Sequence, residues 1–118
     1  EARQAVRCAA AMRQALEELN QDWTEKGLDP LSCGIGLASG EAVVGQIGSP
    51  QRMDFTVIGD TVNLSSRLES LTRKLGTPIL MDEQTARLAG AEIATDDLGE
   101  QAIKGMDRCQ VYRPRLTP

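Results

Sequence analysis

The stretch EARQAVRCAAAMRQALEELNQDW carries Ala5, Ala9, Met12, Leu16, Leu19 and Trp23 at alternating steps of four and three. Arg7, Gln14, Glu18 and Gln21 fall between them, so one face is apolar and the other wet, which predicts an amphipathic helix. Gly27 and Pro30 in EKGLDP end it, because a helix interior rejects both residue types. The pattern then shortens. LSCGIGLASGEAVVGQIG has two apolar runs about the turn SGE, which reads as a β-hairpin over about 32–38 and 42–48. RMDFTVI adds a third strand. In GDTVNLSSRLESLTRKLG, Leu64, Leu68, Leu71 and Leu75 form a stripe at helical spacing, with Asp60 and Thr61 as candidate caps and Gly76 as the stop.

TPILM reads as a buried strand, and DEQTARLAG as a short helix opened by acidic residues and closed at Gly90. QAIKG and CQVYRPR are two further strand candidates on either side of the turn GMDR. Helices interleaved with strands and a hairpin predict an α+β fold of the ferredoxin-like kind, one sheet with helices on one face. No internal repeat or low-complexity tract interrupts it, and the final RLTP looks loose.

Composition narrows the function. A chain of 118 residues is one domain at most, here residues 1–118, and its 41% hydrophobic and 25% charged content is ordinary for a globular protein. No apolar run approaches the ~20 residues of a membrane span, so no membrane contact by this segment is expected. A net charge of −4 with one Trp, one Tyr and one Phe argues against a nucleic-acid platform. Three cysteines lack CxxC spacing and no histidine is present, which leaves no zinc set and predicts reduced, mostly buried thiols in a cytoplasmic protein. The chain opens in a helical pattern without a methionine, signal peptide or capping residue, as a piece of something longer would.

Beside the leucine stripe, Asn63, Arg67, Ser70 and Lys74 form a second one. An amide and a guanidinium one turn apart, near a helix start where backbone N–H groups and the dipole favour an anion, suit a phosphate. The same spacing also describes a plain solvated flank. GIGLASG lacks the helix that a dinucleotide loop needs after it, and no G-K-[ST] occurs. NLS at Asn63 matches a glycosylation acceptor, which has no meaning on a helix in the cytosol. Without histidine a hydrolytic triad has no base. Lys104 in AIKGMD reads, alone, as an ordinary turn lysine.

Together, GIGLASGEAVVGQIGSPQRMDFTVIGDTVNLSSRLESLT, PILMDEQT and DLGEQAIKGMDRCQVYRP resemble the C-terminal two thirds of a class III adenylate/guanylate cyclase catalytic domain, over about 30–114. The first helix is similar to the one that precedes this region in bacterial members. The resemblance implies a homodimer whose protomers pair head to tail, with active sites in the cleft between them. One protomer brings two aspartates that hold two Mg²⁺ or Mn²⁺ ions. The other brings an Asn that orients the ribose, matched by Asn63, and an Arg that steadies charge on the reacting phosphate, matched by Arg67. Thr56 matches the base-recognition position in a form that favours adenine, and Lys104 matches a lysine that contacts the terminal phosphates. The implied reaction converts ATP into 3′,5′-cyclic AMP and pyrophosphate.

In that family both aspartates and a first base-selecting lysine precede the first helix. Asp54 and Asp60 match other positions and are expected to serve in capping and strand-end hydrogen bonds. The expectation is therefore a cyclase catalytic domain truncated at its N-terminus, lacking the first strand and the metal-binding hairpin, and inactive alone. The parent's regulation and membrane attachment are not legible. A non-catalytic cyclase-like module that binds nucleotide or a partner domain is the alternative; retention of Asn63, Arg67 and Lys104 favours the enzyme.

Overall fold

The computed structural model describes residues 1–115, with the backbone alone at 47 and 52–55. Most of the tail RLTP and the side chain of Asp54 lie outside the described residues. The order of elements is α1 (Ala2–Glu25), β1 (Ile35–Leu37), β2 (Val43–Ser49), β3 (Arg52–Ile58), α2 (Asp60–Leu75), β4 (Ile79–Asp82), α3 (Glu83–Ala89), β5 (Thr95–Gln101) and β6 (Cys109–Pro114). A four-stranded sheet runs β1-β4-β6-β5, with β1 and β4 parallel and the other pairs antiparallel, and β2 with β3 makes a separate two-stranded ribbon. The fold is α+β, as expected. No described helix is long and apolar enough to cross a membrane.

The expected hairpin over 32–38 and 42–48 does not form. β1 pairs with β4, Ile35 opposite Ile79, while β2 pairs with β3. Two glycines explain the choice. A methyl group at Gly36 would overlap the Ser65 carbonyl oxygen and the Glu69 amide nitrogen, and one at Gly34 would overlap the Thr72 side chain. Bare backbone lets α2 lie directly on β1, and the strand that α2 leads into becomes its neighbour.

Helices cover both faces of this sheet, not the single face expected. Leu80 and Val111 join Leu68, Leu71 and Ile103 in one cluster, while Met81, the next residue of β4, joins Val6 and Ala89 in another. Successive strand residues point to opposite faces, so α2 covers one side and α1 with α3 the other. This accounts for the uninterrupted burial of Ile79, Leu80, Met81 and Asp82. In α1 the buried residues are Val6 and Ala9; Ala5, Met12 and Leu19 of the expected stripe are exposed.

Other boundaries shift for local reasons. β5 is TDDLGEQ, and QAIKG contributes only Gln101 to it. Asp96 fastens this polar strand to β6 and the residue beyond it, through Arg113 at 3.0 Å and Arg115 at 2.6 Å. The hydrogen bond from Arg115, then that from Arg113, holds the Asp96 carboxyl below its ordinary range. Gly59 is the N-cap of α2 and makes no side-chain cap, so Asp60 is the first helical residue and acts at most through the helix dipole. Gly76 ends the helix in the left-handed conformation, as expected. Asp82 caps α3 by accepting the Thr85 N–H at 3.0 Å. All three cysteines are free, but Cys8 and Cys33 are exposed and only Cys109 is half-buried, against the expectation of mostly buried thiols.

Candidate active site

The start of α2 is seated by the loop that follows β1. A Cβ at Gly40 would stand 2.6 Å from Thr61 Oγ1, and one at Gly59 3.6 Å from Ala42 Cα. The Asn63 N–H donates to the Gly59 carbonyl at 3.1 Å, which closes the first helical turn. Asn63 and Arg67 follow on the exposed flank beside Leu64 and Leu68. Leu68 is fully buried, so the helix cannot rotate this flank away without losing its core contacts.

Lys104 reaches the same neighbourhood from a distant part of the sequence. It is exposed in the turn between β5 and β6, where the Met106 N–H donates to the Ile103 carbonyl at 3.0 Å. A Cβ on the next residue, Gly105, would stand 3.7 Å from Arg67 Nη2. Tertiary packing thus brings the guanidinium of α2 near the lysine-bearing turn. Among the described residues no carboxylate forms an ion pair with either cation; the acidic partners go to Arg3, Arg7, Arg13, Lys26, Arg73, Arg108, Arg113 and Arg115.

Thr56 is half-buried on β3. Its cross-strand partner is Gly45, where an added Cβ would meet nothing within 4 Å. The face of the ribbon beside the threonine is therefore open. Among the described residues no hydrogen bond joins Thr56 to Asn63, Arg67 or Lys104. A cavity of about 750 Å³ lies elsewhere, between α1 and residues 92–94, and none of the four residues lines it. Asn63, Arg67 and Lys104 are exposed, and Thr56 is half-buried.

Among the described residues no group of three acidic, cysteine or histidine side chains is placed to hold a metal ion. These residues do not themselves make a divalent-metal centre. Sequence reasoning missed Gly105 and Ile103, although a glycine directly after the turn lysine was the available signal, since one common turn needs glycine there.

The family model for the adenylate and guanylate cyclase catalytic domain matches residues 1–113. The chain belongs to this cyclase family. Adenylate cyclase 1 of Rhizobium meliloti (strain 1021) is 35% identical over 104 residues, which cover 88% of this chain and 16% of that protein. The chain thus spans about a sixth of that curated relative's length. The crystal structure of the adenylyl cyclase CyaB from P. aeruginosa superimposes with a TM-score of 0.89 at 35% identity, over all of this chain and 60% of that one. The guanylyl cyclase Cya2 gives 0.77 at 38% identity, over 96% of this chain and 56% of that one. The α+β arrangement described above is that of cyclase catalytic domains.

Proposed function

We propose that this chain is part of an adenylate cyclase catalytic domain, converting ATP into 3′,5′-cyclic AMP and pyrophosphate, with α2 and the Lys104 turn as one wall of a cleft completed by a second copy. The observation that carries the reading is the nearness of Arg67 to the Lys104 turn, one helical turn from Asn63, with both cations free of carboxylate partners among the described residues. Two cations and an amide, all exposed and without carboxylate partners among the described residues, suit a triphosphate joined to a sugar.

In the reaction the ribose 3′-oxygen attacks the α-phosphorus, a new ester bond closes the ring, and the bond to the bridging oxygen breaks. Its electron pair leaves with pyrophosphate, and the hydroxyl proton is released. Arg67 presents a planar fork of donors, suited to charge that grows on the phosphoryl oxygens. Asn63 offers both donor and acceptor to the ribose hydroxyls, which aligns the attacking oxygen. Lys104 supplies a point charge for the terminal phosphates. Divalent Mg²⁺ or Mn²⁺ is expected from the family, and its carboxylate ligands would come from outside the residues described. Thr56, uncovered by its glycine neighbour, has room for the adenine edge. The 38% identity to the guanylyl cyclase Cya2 supports GTP as the second reading of the base.

The test is steady-state kinetics in the full-length protein that carries this chain. Arg67→Ala should lower kcat by ~10²–10³ with little change in KM, because a donor aimed at developing charge contributes mainly in the transition state. Arg67→Lys should restore only part of the rate. The melting temperature should hold, as Arg67 is exposed. Wild-type kcat in Arg67→Ala, or a rate loss matched by a collapsed melt, would return Arg67 to an ordinary helix flank.

A further inference from the structure

The turn that carries Lys104 is built for one backbone shape. Ile103 accepts the hydrogen bond from Met106, Lys104 is the second residue, and Gly105 is the third with φ 78°. A type II turn needs a positive φ at its third position, which glycine adopts without steric cost. Ile103 is only 5% exposed and belongs to the same core cluster as Leu68, the residue after Arg67. The turn and the helical segment bearing Arg67 are therefore fixed to one another through shared apolar contacts.

Arg67 has a long stem with many rotamers and no carboxylate to hold it among the described residues. On one side its guanidinium lies close to Gly105, where even a Cβ would be in van der Waals contact with Nη2 at 3.7 Å. A longer side chain directed toward Arg67 would compete for the space the guanidinium uses. We infer that Gly105 is a positioning residue for Arg67: its bare backbone, anchored to the core through Ile103, leaves clear the space beside the guanidinium. The inference depends on the catalytic role proposed for Arg67 and adds the element that sets where its donors point. Gly105 itself touches no reacting atom; it keeps open the rotamer used by the residue that does.

Asparagine is the side chain that best tolerates a left-handed backbone, so Gly105→Asn fills the space with the least backbone strain. In the full-length protein this variant should lower kcat about 10- to 100-fold with KM changed less than about twofold, as displacement of a transition-state group does. The deciding measurement is the same substitution in an Arg67→Ala background, where kcat should fall by less than about twofold further, since the group it displaces is gone. Gly99→Asn, at another left-handed glycine with φ 80° and nothing within 4 Å, controls for strain alone and should keep wild-type kcat. If Gly105→Asn does not fold, Ile103→Val loosens the anchor without altering the turn backbone; it should cost a few-fold in kcat, again only when Arg67 is present. Wild-type kcat in Gly105→Asn beside a lost kcat in Arg67→Ala would overturn this inference alone. Equal losses in both backgrounds would overturn it in favour of a purely structural glycine, and wild-type kcat in Arg67→Ala would remove the reading of Arg67 and the inference with it.

Discussion

α2 and the β2–β3 ribbon are consecutive in the chain and carry neighbouring candidate residues, yet they are held by opposite means. α2 rests backbone to backbone on β1 at Gly36 and buries Leu68 completely. The ribbon pairs with itself alone, and its base is apolar on both faces: Val43 opposite Ile58, and Val44 opposite Val57, all exposed, Val44 to 64%. Asn63 and Arg67 thus ride on an element fixed by the core, whereas Thr56 rides on one whose apolar faces stand open. Positions proposed for phosphate chemistry are pre-set by this chain's own packing. The position proposed for base recognition has an address that depends on whatever lies against the ribbon.

The contrast breaks most visibly at Gly36. Gly36→Val forces side-chain atoms into the α2 backbone, and overpacking of this kind costs ~1–3 kcal/mol or more. A urea or thermal melt of the chain should show that loss, and an unchanged melt would mean that α2 does not sit on β1 as described. A smaller effect is expected at Thr56, in selectivity instead of stability. Thr56→Ala in the full-length protein should reduce the preference for ATP over GTP by the worth of one hydrogen bond, ~0.5–1.5 kcal/mol in the ratio of kcat/KM values, with the melt unmoved. An unchanged ratio would take Thr56 out of base recognition. Smallest is Val57→Thr, which keeps the β-branched shape and should alter the stability of the isolated chain by less than ~0.5 kcal/mol. A larger loss that grows with protein concentration would show that the ribbon is covered in an assembly, and the contrast would then hold only for the single chain.

These two regions also differed in how far the sequence could be read. The leucine stripe of α2, its glycine stop and the continuous apolar run of β4 are local signals, and the structure follows them closely. The partner of β1 is not local: two apolar runs near a turn suggest a hairpin, whereas the bare backbone at Gly34 and Gly36 admits α2 onto β1 and β4 becomes its strand neighbour. β5 escaped because TDDLGEQ shows no apolar alternation; its ion pairs through Asp96 bind it to β6. At the candidate site, the spacing of Asn63 and Arg67 was visible as one turn of helix. The approach of the Lys104 turn was not, because it is made by Ile103 entering a core whose other members come from three separate elements.

One feature of the topology bears on how freely such a domain can vary. β1 and β4 are parallel partners with the whole β2–β3 ribbon and α2 enclosed between them. The entropy of closing an enclosed segment rises only with the logarithm of its length, about 0.6 kcal/mol for each doubling. Residues added or removed at the ribbon tip, near 49–52, would therefore change the closure of the main sheet by a few tenths of a kcal/mol. The ribbon can also form on its own in microseconds, before the slower joining of β1 to β4. In evolutionary terms the protruding arm is a cheap place to experiment: its length and its apolar faces can drift to suit a new neighbour while the sheet that carries α2 stays as it is.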